Sequence, residues 1–369
     1  MEYKNFPLVD SHIHVHSYSD ECYRVPFNRH EEIINELFTK TDYDSIALVA
    51  TGFKASFNIE KSGNVNLLDT PMGYYLKDKC KQKIYLFGAF SRNYHRPCQN
   101  TAEMLLEQAK FRVAAGCDGF KSLDGILCTY RDVGAKLSDP ITEPYFEYLE
   151  KNNIPITIHL CGPNQVFDKN SIIYAGDDKQ EKYKSIIKDV HTDIEELLKK
   201  FPKLTLVCAH FYFMSDDLEK AEYMLTKYEN LYFDLTPDIF MYHDFNKYPD
   251  DEIRAFLKRN QHKIIYGTDI FIEEDESEKP IHYSIIREFF EKENSPFLND
   301  LGLKPLKMDD DFLKKIYYEN FKRIAGDEPR KVNPKMAIEE CDCLLTDYRQ
   351  WLSDKDVEFL INIKAYFNN

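Results

Sequence analysis

Near its start the chain reads Leu8-Val9-Asp10-Ser11-His12-Ile13-His14-Val15-His16. In an extended strand side chains alternate between faces, so His12 and His14 stand side by side, with Val9 and Ile13 turned away. Two neutral imidazoles placed like this are a natural pair of ligands for a divalent metal. Three more metal-capable residues sit on or at the ends of apolar, strand-like runs: His159 in 154–160, His210 after 204–209 and Asp269 after 263–268. Taken singly, each histidine reads more simply as a structural or surface residue. Brought to one place, His12, His14, His159 and Asp269 form a set that suits zinc, with manganese, iron or nickel also admitted. A water held there has its pKa drawn from 15.7 towards about 7 and becomes a nucleophile at neutral pH. Asp269 is then placed to take the proton of that water and pass it to a leaving group. His210 is placed to polarise the reacting carbonyl or hold the developing oxyanion.

Six further residues are candidate substrate contacts. Lys121 follows Asp118-Gly119-Phe120 in a short strand-like run, and three readings stay open: a solvated lysine, a cation for a substrate carboxylate, or a carboxylated lysine bridging two metals. Arg92 and His95, with Arg96, follow the apolar run 84–90 and could anchor an anion by paired hydrogen bonds. Phe53 and Lys54 follow the run 45–50, and an ordinary solvated loop is the simpler reading at both places. His16 lies beyond the end of the first strand and ranks below His12 and His14.

Residues this far apart in sequence need a fold that gathers strand ends. Apolar strand-like runs begin near residues 8, 45, 84, 118, 154, 204, 231 and 263, with helical patterns between them. Helix 29–39 carries Ile33, Ile34, Leu37 and Phe38 at helical spacing, and Thr101 is placed to cap the helix after the third strand. Strand, loop, crossover helix and return, repeated eight times, predict an α/β fold, a (β/α)8 TIM barrel, whose carboxyl strand ends share one mouth. A doubly wound open sheet also fits the alternation, but no G-x-G-x-x-G turn follows the first strand. The spacing predicts a barrel over 1–330 and a helical C-terminal extension over 331–369, packed on the barrel or making a subunit contact.

The chain has 369 residues, 43% hydrophobic and 30% charged, with a formal net charge of −15. That balance argues against a nucleic-acid partner, which needs clustered Lys and Arg. Nine cysteines are scattered with no CxxC pair, no basic-then-apolar leader is seen, and no run of eighteen apolar residues occurs. The expectation is a cytoplasmic protein without a membrane span, acting on a small molecule, with homo-oligomerisation left open.

These motifs resemble the amidohydrolase superfamily, in particular its amidohydrolase-related (amidohydrolase 2) branch. The matching pieces are Val9-Asp10-Ser11-His12-Ile13-His14, Gly119-Phe120-Lys121, Ile156-Thr157-Ile158-His159, Cys208-Ala209-His210 and Tyr266-Gly267-Thr268-Asp269, with Tyr318 to Ile324 similar to a closing helix. The resemblance implies one divalent metal on His12, His14, His159 and Asp269, with His210 assisting. It also implies, as the first reading, hydrolysis of an amide, lactone or ester by a metal-activated water, with nonoxidative decarboxylation of an aromatic or unsaturated acid at the same centre as the runner-up. A noncatalytic barrel using metal to bind a metabolite is the alternative from another class. The chain departs from the family at Phe211-Tyr212-Phe213, where many members have glycines, and bulky rings there narrow the mouth.

Overall fold

A computed structural model describes residues 3–15, 25–52, 67–90, 101–126, 130, 136–162, 164–170, 176–237, 239–273 and 279–369. The apolar runs form parallel strands β1 (Leu8–His14), β2 (Tyr43–Val49), β3 (Lys83–Ala89), β4 (Gly119–Ile126), β5 (Ile156–Cys161), β6 (Leu206–Cys208), β7 (Leu231–Asp234), β8 (Ile264–Ile265) and β9 (Ile270–Phe271). Their order in the sheet is β8-β7-β6-β5-β4-β3-β2-β1-β9. One stretch of chain, 264–271, therefore pairs with β7 through β8 and with β1 through β9, curling the sheet into a distorted TIM barrel. Strands buried on both faces explain the near-continuous apolar runs.

Inside the barrel Val9, Ala47, Val49, Tyr85, Phe87, Val207, Tyr232 and Ile265 form one cluster, and Phe321 joins it from the helix 320–325. A larger cluster lies between the strands and the surrounding helices. The predicted Thr101 cap is present, its side chain accepting from the Met104 N–H at 3.1 Å. The helix it starts ends at Gly116, at φ +122°, where a Cβ would stand 2.8 Å from the Lys331 carbonyl oxygen. Beyond it, helices 334–347 and 354–367 lie against the barrel's outer helices, with Arg112 paired to Glu340 at 3.1 Å and Tyr75 edge-on to Tyr366. Among the described residues no helix is long and apolar enough to cross a membrane.

Two departures from the expected strands bear on the site. Of the predicted strand 263–269 only β8 is regular, and pairing resumes past its end in β9, because over 266–269 the backbone turns away from regular pairing. The Tyr266 N–H donates to Ile316, the Ser11 N–H donates to Tyr266, and Asp269 has φ +59°. Gly267 is needed there, since a Cβ would come within 3.0 Å of the His12 Cβ and the Ser11 Oγ. In β1 the pairing with β2 slips between Asp10 and Ile13, a bulge of one extra residue. That slip reverses the alternation, so Val9 packs inside the barrel, on the face of His12 and His14, while Ile13 packs outside. The expectation that Val9 and Ile13 share a face fails for this reason.

Candidate metal centre

His12 is fully buried, and its Nδ1 lies 2.8 Å from Asp234 Oδ2. Burial first, then the neighbouring Lys121, pushes its pKa down to about 4, so the ring is neutral at pH 7. A neutral ring that donates from Nδ1 to a carboxylate leaves Nε2 with a lone pair facing inward. That Nε2 is 3.3 Å from Asp269 Oδ1, and His14 Nε2 is 3.0 Å from the same oxygen. Burial also lowers the His14 pKa. Burial alone would raise the Asp269 carboxyl, but His210, His14 and His12 hold it well below the usual carboxylate range.

His12, His14 and Asp269 each offer one ligand atom, and all three atoms lie within 4.8 Å of one another. Donors held about 2.0–2.2 Å from a tetrahedral ion stand roughly 3.3 Å apart. The separations of 3.0 and 3.3 Å are of that size, so the cluster fits a divalent metal. His159 and His210 stand next to it. His210 Nε2 lies 3.2 Å from His159 Nδ1 and 3.9 Å from Asp269 Oδ2. His159 is not one of the three clustered ligands, but its Nε2 is buried with no hydrogen-bond partner among the described residues. Burial, with His210 and Lys121 beside it, holds this ring well below the ordinary histidine pKa.

Of the three readings of Lys121, the solvated lysine fails. Lys121 is fully buried, with Nζ 2.8 Å from His12 Nε2, and burial lowers its pKa to about 8 against the pull of Asp269 and Asp234. Arg92, His95 and Phe53, with Lys54, Arg96 and His16, lie outside the described residues.

Two carboxylates that build the site were not picked out in the sequence. Asp234, the last residue of β7, accepts from the His210 N–H at 2.8 Å as well as from His12. An acidic residue closing an apolar barrel strand was a readable signal for it. Asp10 accepts from Thr268 Oγ1 at 2.6 Å, Tyr43 OH at 2.7 Å and the His12 and Thr268 N–H groups at 3.1 Å. It thereby ties β1 to the turn that carries Asp269, and the Asp269 N–H completes the tie by donating to the His12 carbonyl at 2.9 Å.

A family model described as amidohydrolase matches residues 87–324. No curated protein sequence matches the chain. Among solved structures, an uncharacterised TIM-barrel protein from Bordetella bronchiseptica is 17% identical over 86% of this chain and 98% of its own, with a TM-score of 0.51. A 2,6-dihydroxybenzoate decarboxylase complexed with 2,6-dihydroxybenzoate is 13% identical over 86% and 99%, with a TM-score of 0.52. A dihydroxybenzoic acid decarboxylase from Polaromonas sp. JS666, with bound manganese and the inhibitor 2-nitroresorcinol, is 12% identical over 86% and 96%, with a TM-score of 0.52.

Proposed function

This chain belongs to the amidohydrolase family, and on that premise we propose that it is a metal-dependent nonoxidative decarboxylase of a small aromatic or unsaturated acid. The observation that carries the reading is the meeting of His12 Nε2, His14 Nε2 and Asp269 Oδ1 beside the buried Lys121 ammonium. A divalent ion in that cluster supplies a Lewis acid for the oxygen atoms of a substrate carboxylate. Lys121 adds a second positive group, desolvated and so effective against an anion. Asp269 and His210, 3.9 Å apart, form a pair that can hold one proton at the open side of the cluster. Transferred to the substrate carbon bearing the carboxylate, that proton replaces it. The C–C bond breaks, its electron pair returns to the unsaturated system, and carbon dioxide leaves. Similarity in fold to two dihydroxybenzoate decarboxylases supports this order of preference.

Hydrolysis of an amide, lactone or ester is the second reading, and the family description favours it. In that case Asp269 and His210 take the proton of the attacking water and return it to the leaving group. Zinc is the first choice of metal for either reaction, with manganese next.

The two reactions separate in labelled water. The metal-loaded protein is incubated with hydroxybenzoates, other unsaturated acids, lactones and amides in deuterium oxide enriched in heavy oxygen, and the products are examined by mass spectrometry. Carbon dioxide release with deuterium at the vacated carbon is expected. Products carrying oxygen from labelled water, with no carbon dioxide, would replace decarboxylation with hydrolysis.

A further inference from the structure

Directly after β6, His210, Phe211, Tyr212 and Phe213 have φ of +55°, +54°, +56° and +48°, four consecutive non-glycine residues in left-handed backbone. Such a conformation is unfavourable by roughly 1–2 kcal/mol for each residue with a Cβ, so surrounding contacts must hold it. Two of the rings supply them. Phe211 packs edge-on against Phe233 and Phe245, and the Tyr212 hydroxyl lies 2.9 Å from His191 Nδ1. Both are buried, whereas Phe213 is partly exposed. Its ring stacks on His210 at 5.2 Å and 29°, and lies 5.5 Å from His159. The turn thus fixes one aromatic face beside the two histidines that border the metal cluster. At the other end of the row of imidazoles, Phe271, also partly exposed, stacks on His14 at 4.8 Å and 14°.

We propose that Phe213 is a specificity-determining residue, which selects flat, π-bonded acids over saturated ones of the same size by lying against the substrate's face. The inference rests on the reading above only in taking the ligand to be a small carboxylate. Offset ring stacking adds a modest preference over the same area of aliphatic contact.

Benzoate and cyclohexanecarboxylate carry the same carboxylate on a flat and a puckered six-membered ring. Calorimetric titration of each into the zinc-loaded full chain, with metal content measured alongside, reads the preference without requiring turnover. The unaltered protein is expected to favour benzoate by about threefold to tenfold. Phe213→Leu, which keeps bulk but not the ring, is expected to bring the two affinities within about twofold at unchanged metal content, while Phe213→Tyr keeps the preference. The same preference in Phe213→Leu as in the unaltered protein, or none in the unaltered protein, would overturn the proposal. Preference with no carbon dioxide release from any acid would remove the decarboxylase reading and leave this inference standing. Release without preference would do the reverse.

Discussion

A histidine ligates only through a nitrogen that carries no proton, and at His12 that choice is made by Asp234. The carboxylate accepts a hydrogen bond from the Nδ1 N–H at 2.8 Å and leaves Nε2 to face Asp269 and Lys121. Asp234→Asn is expected to lower metal affinity by roughly 10–100-fold, as measured by chelator competition, because an amide no longer fixes the ring's tautomer. Unchanged affinity would mean that the bond is incidental to metal binding. At this scale much was legible. His12, His14 and Asp269 were readable from type and position, and the structure brings their ligand atoms within 4.8 Å. The burial of Lys121 was not, since a lysine after Gly119-Phe120 reads equally well as solvated. Asp234 closes a strand and Asp10 sits inside the His12 motif, but neither position told its role, which lies in partners more than 200 positions away.

Elements place these side chains through irregularities that periodicity does not show. Repeating strand and helix patterns were enough to predict the barrel, because parallel strands buried on both faces leave long apolar runs. The slip at β1 and the break between β8 and β9 depend instead on close packing, as at Gly267, where a Cβ would stand 3.0 Å from the His12 Cβ. Asp10 holds both irregularities together. Asp10→Ala leaves two hydroxyls and two backbone N–H groups without their buried acceptor, so a loss of about 3 kcal/mol in urea unfolding is expected. Because the turn bearing Asp269 loosens with it, metal affinity should fall as well. Full stability in this variant would show that the turn is held by other contacts.

For the molecule as a whole, buried neutral histidines make acid the weak side of its stability. His12 and His191 are lowered to about 4, and His14 and His159 are lowered too, in each case first by burial. Between the unfolded value near 6.5 and those lower values the unfolded chain binds more protons, so stability rises with pH and is lost as pH falls. Asp10, raised to about 6 by burial, acts in the opposite sense, with stability falling as pH rises from 3.8 to about 6, and Asp118, also raised, acts with it. Four histidines against two carboxyls predict a thermal midpoint of the metal-free protein that drops steadily between pH 6.5 and 4.5. A flat profile there would contradict the neutral, buried state of these rings. A divalent ion held by the folded cluster alone should, at about 100 times its dissociation constant, add roughly 2.7 kcal/mol, seen as a higher midpoint that a chelator reverses.

The central claim is that His12, His14 and Asp269 together hold a divalent ion. Its most direct test is metal analysis, after equilibrium dialysis against zinc, of the unaltered protein and of the His12→Ala/His14→Ala double variant, each checked for folding by circular dichroism. Tightly held zinc in the unaltered chain and none above background in the folded double variant is the predicted result. Equal zinc in both proteins would contradict the assignment.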